Sequence, residues 1–75
     1  MDPWYRSELT TLKHLYLLIP AEQRYQYVSD MWELIHQLDH MQQASDALSV
    51  IEFVVLLGKY DRAMVHLYER IQKHE

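Results

Sequence analysis

His36 and His40 stand four residues apart with Glu33 one turn earlier, and this is the cluster best suited to holding a metal. On a helix that spacing stacks both imidazoles on one side, where two neutral rings can chelate zinc or nickel. The Glu33-x-x-His36 spacing also occurs in carboxylate-bridged di-iron bundles, but those need a second copy of the motif and none is present. The metalloprotease pattern HExxH is absent, because Gln37 and Leu38 follow His36. Two ligands make a weak site in one chain, though a two-fold dimer could supply four. Exposed surface histidines are the simpler reading.

Other routes to chemistry find less support. The sequence has no cysteine, which removes thiolate nucleophiles, disulfides and thiolate metal sites. Ser7, Ser29, Ser45 and Ser49 lack the glycine-framed elbow of a serine nucleophile. A single glycine cannot form a phosphate-cradling loop. The expectation is a non-enzymatic chain with no cofactor.

The elements that would carry these residues follow from composition and periodicity. Seventy-five residues suit one domain, 1–75. One glycine and two prolines leave little material for hairpins, so an all-α fold is expected. Asp2-Pro3 reads as an N-cap followed by a preset first helical residue. Tyr5, Leu9, Leu12, Tyr16 and Ile19 then recur at three- and four-residue spacing until Pro20 ends the helix. A second series, Ala21, Tyr25, Val28, Trp32 and Ile35, continues through Leu38 and Met41. Asp39 with Gln42, or Ser45 with Asp46, offers a new N-cap, which places a turn within 39–46.

Residues 47–57 are apolar nearly all round, and a helix without a polar face must be enclosed on several sides. Gly58 is the expected residue just past that helix, able to take the left-handed conformation that closes it. Tyr60, Ala63, Met64, Leu67, Tyr68 and Ile71 then form the core face of a last helix. The expected architecture is a small bundle of three to four amphipathic helices, about 3–18, 20–39, 43–57 and 59–74. So short a chain encloses an all-apolar helix only partly, so a homodimer is the expected completion.

The run Leu57-Gly58-Lys59-Tyr60-Asp61-Arg62-Ala63 resembles the turn between the two helices of a tetratricopeptide repeat. There a small residue, an aromatic and an alanine fall at these offsets, with Leu67 near the later aromatic position. The likeness spans about residues 44–75, and no copy stands ~34 residues earlier. It implies helix-hairpin chemistry and, with it, peptide or protein binding.

Charge points the same way. From Tyr25 to Gly58 there are five acids (Asp30, Glu33, Asp39, Asp46 and Glu52) and no Lys or Arg, within a net charge of −4. An acidic middle disfavours phosphate-backbone binding, so a small DNA-binding regulator is the weaker alternative, beside a metal-binding bundle through Glu33, His36 and His40. The longest apolar run, Phe53 to Leu57, is far short of the ~20 residues that span a bilayer. No basic, then apolar, leader opens the sequence, so the expected location is cytoplasmic and no membrane partner is implied. The favoured expectation is a regulator, inhibitor or adaptor that contacts itself and another protein. Val50, Phe53, Val54 and Leu57 are the expected interface, with Trp4 and Tyr27 as aromatic anchors if exposed.

Overall fold

A computed structural model describes residues 3–73 and is all-α, with no strand among those residues. Helix α1 spans Pro3–Leu18, a 3₁₀ segment spans Ala21–Tyr27, α2 spans Val28–Gln43 and α3 spans Val50–Lys73. The N-cap expected at Asp2 lies outside the described residues. The path runs up, down and up: α2 packs against both α1 and α3, antiparallel to each.

The end of α1 is built around Pro20 and Arg24. Pro20 takes an extended conformation and cannot continue the helix. The Arg24 guanidinium then folds back, donating to the carbonyls of Ile19 at 2.9 Å and Leu17 at 3.2 Å. Those are carbonyls that a terminating helix leaves without partners. The same guanidinium lies over the Tyr16 ring at 5.8 Å.

Helix 2 differs from its expected form in two ways. Residues 21–27 are 3₁₀ rather than α-helical, and this tighter winding stacks positions three apart. Arg24 can then turn back to α1 while Tyr27 enters the core. The core series also runs through Tyr27, Met31, Leu34, Leu38 and Met41, not through Tyr25, Trp32 and Ile35, which are exposed. Both series have 4-3 spacing, because α2 is apolar on two adjacent faces, and periodicity alone does not say which faces inward.

The turn between α2 and α3 falls at 44–49, later than the expected 39–46. Asp39 does not cap a helix; its carboxylate accepts from Gln43 Nε2 at 3.0 Å within α2. The N-cap of α3 is Ser49, in a reciprocal capping box. The Glu52 N–H donates to Ser49 Oγ at 3.1 Å, and the Ser49 N–H donates to Glu52 Oε1 at 3.3 Å.

Helices expected at 43–57 and 59–74 are one continuous helix of 24 residues, about 36 Å long. Gly58 lies inside it with an ordinary negative φ, so it ends nothing, and the likeness to a tetratricopeptide turn does not extend to structure. Phe53, Leu56, Tyr60, Ala63, Met64, Leu67 and Ile71 make its inner face. Its outer face is bare at the start, contrary to the enclosure expected of residues 47–57.

Tyr60 sits at the centre of the core with no exposure, and its hydroxyl has no hydrogen-bond partner among the described residues. Burial, then Glu8 and Asp61, push its ionisation far above the usual tyrosine range. Half-buried Glu8 is itself raised above 4.5, first by burial and then by Asp61. Its native carboxyl therefore holds a proton more tightly than the unfolded one, and its contribution to stability falls as pH rises through that window. Glu8→Gln is expected to stabilise the chain at pH 7 and to lose that advantage below about pH 4. Tyr60→Phe, which removes an unpaired buried hydroxyl, is expected to add up to ~1 kcal/mol. Urea melts at both pH values check the pair; a destabilised Tyr60→Phe, or a Glu8→Gln gain equal at both, contradicts these assignments.

Candidate functional site

The sequence-derived metal candidates do not converge. Glu33, His36 and His40 are all exposed on α2. Glu33 borders a groove between α2 and α3 beside His66 and Arg70. His36 lies flat on the Trp32 indole, with ring centroids 4.9 Å apart and planes 11° from parallel. His36 and His40 share a notch with Lys59, whose ammonium opposes a bound cation. Among the described residues no three His, Asp or Glu side chains are placed to hold a metal ion.

The apolar candidates divide by face. Val50 and Val54 project outward from α3, whereas Phe53 and Leu57 are half-buried. Trp4 is also half-buried, meeting Tyr5 edge-on at 4.9 Å and Phe53 at 6.5 Å, so it closes one end of the bundle. Tyr27 is buried beneath the Arg70 guanidinium, which lies 5.3 Å from its ring and also pairs with Asp30 at 2.8 Å. It is thus a core residue and not a surface anchor.

Apolar surface remains open in three places, one of them a groove between α1 and α3 lined by Leu15, Leu18, Met64, Val65 and Tyr68, and the other two bear on the expected interface residues and on Trp32. The first of these two is the outer face of the opening turns of α3, where Ile51 is 77% exposed and Val54 58%, with Val50 and Val55 beside them. Ile51, Val54 and Val55 point away from the inner-face residues Phe53, Leu56 and Tyr60. The second is a groove of about 350 Å³ between α1 and α2, walled by Leu9, Tyr16, Val28, Trp32 and Ile35. Trp32 stands 65% exposed at its rim. Clusters of this kind on a small chain mark contact surfaces.

Ile51, Val55 and Trp32 were not among the expected interface residues. The signal for the first two was available, since 51, 54 and 55 fall on the opposite side of a helix from 53, 56 and 60. Yet an apolar run without polar residues carries no phase that marks one side as outer. Trp32 belongs to the outward of the two apolar stripes of α2.

No helix among the described residues is long and apolar enough to cross a membrane. No family model, curated protein or solved structure matches the chain.

Proposed function

We propose that this chain is a small non-catalytic interaction module that self-associates through the first half of α3 and presents the α1/α2 groove to another protein. One observation carries the proposal: four large apolar side chains, Val50, Ile51, Val54 and Val55, lie together on the solvent side of a regular helix. Covering each is worth about 1.5–3 kcal/mol at full burial, enough for four to sustain association against its entropic cost. The groove at Trp32 adds a second surface of a kind that receives an apolar side chain or a helix face. His36 stacks on the indole at that rim.

The test is size exclusion with light scattering on the wild-type chain and on Val54→Asp. The wild type is expected to run as a dimer, and Val54→Asp as a folded monomer with at least ~100-fold weaker association, because a carboxylate would be desolvated at the contact. As an exposed position in the single chain, it should leave the fold within about 0.5 kcal/mol. A wild-type chain that stays monomeric at millimolar concentration refutes self-association. A Val54→Asp chain that still dimerises moves the contact off α3.

A further inference from the structure

Gly58 has no evident purpose within the chain. It sits in the middle of a 24-residue helix, where glycine is among the poorest residues. Its φ is not positive, so no turn requires it. A Cβ there would meet only the tip of the Arg62 side chain, at 3.6 Å, which is ordinary contact. What a missing Cβ offers at such a position is close approach by another backbone.

Its place on the helix is informative. Residues 51, 54, 55 and 58 are spaced three, one and three apart, so they form a single stripe along the outside of α3. Charge is distributed unevenly along that stripe. Glu52 lies beside its start and Arg62 at its end, while Lys59 sits on the α2 flank beside the notch of His36 and His40. Asp61 belongs to the other flank, where it faces Glu8 and Tyr60. Arg62 is exposed and has no ion pair among the described residues. Two parallel copies would set like charges against like. Two antiparallel copies would set the acidic start of one stripe against the basic end of the other.

We infer that the occupant of this stripe is a second copy of the same chain, packed antiparallel, with the two-fold axis passing near Val54 and Val55 and Ile51 of each chain lying over Gly58 of the other. This rests on the self-association proposed above and specifies its geometry. An isologous contact of this kind closes on itself and stops at a dimer.

Cysteine scanning tests it cleanly, since the chain has no cysteine of its own. In the antiparallel pair the two copies of residue 54 are nearly level along the axis. The two copies of residue 51 are displaced by seven residues, roughly 10 Å, beyond the ~7 Å Cα separation a disulfide tolerates. Under mild oxidation Val54→Cys is expected to form a covalent dimer and Ile51→Cys to remain uncrosslinked. Crosslinking of both means a parallel pair and overturns the geometry while leaving self-association intact. Crosslinking of neither, with light scattering still reporting a dimer, overturns the stripe as the contact. Neither crosslink and a monomer throughout overturns the self-association reading as well. Gly58→Ala supplies an independent readout: it is expected to raise the melting temperature of dilute monomer yet weaken the dimer roughly tenfold, by crowding the contact. Unchanged or tighter association in that variant would remove Gly58 from the interface.

Discussion

Gly58→Pro is expected to unfold most of the chain at 25 °C. Proline at 58 removes the hydrogen bond to the carbonyl of Val54 and drives its ring against that carbonyl, at ~3 kcal/mol or more inside a helix. The damage cannot stay local. Phe53 and Leu56 lie before the break and Tyr60, Ala63 and Leu67 after it, all on one inner face, so a kink at 58 withdraws one half of α3 from the core. A single small core supplies only about 3–5 kcal/mol, so the variant is left with little margin. Far-ultraviolet circular dichroism with urea titration measures this directly. A variant that keeps wild-type helicity and stability would mean that the chain turns at Gly58 and that α3 is two helices.

Leu38→Ala is the second large effect. Leu38 is buried on α2, the helix that α1 and α3 share, in line with Leu34 and Met41. Removing its isobutyl group forfeits the transfer energy and leaves a cavity that fixed helices fill poorly, for about 2–5 kcal/mol. Against the stability expected of a domain this small, that shifts the population substantially toward the unfolded state. Self-association would offset part of the loss at high concentration, because a dimer that binds only folded chain stabilises it by mass action. The midpoint of urea unfolding should therefore rise with protein concentration in wild type and variant alike. A loss below about 1 kcal/mol would show that the core does not depend on this side chain.

These variants fall where reading the sequence was least and most secure. The all-α character was legible, because one glycine and two prolines leave no material for hairpins. So were α1, stopped by Pro20, and most of the inner face of the second half of α3, where Tyr60, Ala63, Met64, Leu67 and Ile71 are wholly or partly buried as expected, whereas Tyr68, expected among them, is 50% exposed. Gly58 was misread because glycine is the commonest helix-ending residue; local propensity there is overruled by apolar residues on both sides that share one inner face. The true start of α3 was present as Ser49-x-x-Glu52, a complete capping box, but it competed with Asp39-x-x-Gln42 and with Ser45-Asp46. Spacing alone cannot rank such boxes, since Asp39 is equally content bonding Gln43 inside a helix.

The candidate site was legible in outline only. Val50 and Val54 were picked out by the apolar surplus of their segment, and both lie on the bare face. Phe53 and Leu57 were grouped with them because an all-apolar run gives no phase from which to tell inside from outside. Tyr25, Trp32 and Ile35 raise the same difficulty on α2, where two equivalent stripes are present and only packing against α1 and α3 selects one. An aromatic residue with a polar tip fits either side. Trp32 is thus an exposed ring at the rim of the α1/α2 groove and not part of the core.

The central claim, self-association through the outer face of α3, is tested most directly by following backbone amide chemical shifts as the unmodified chain is diluted from millimolar to low micromolar concentration. The shifts are expected to move together along one binding curve, concentrated in residues 50–62, with α2 and the Trp32 groove nearly still. Spectra that do not change with concentration, or changes centred on Trp32 and α1, would contradict it.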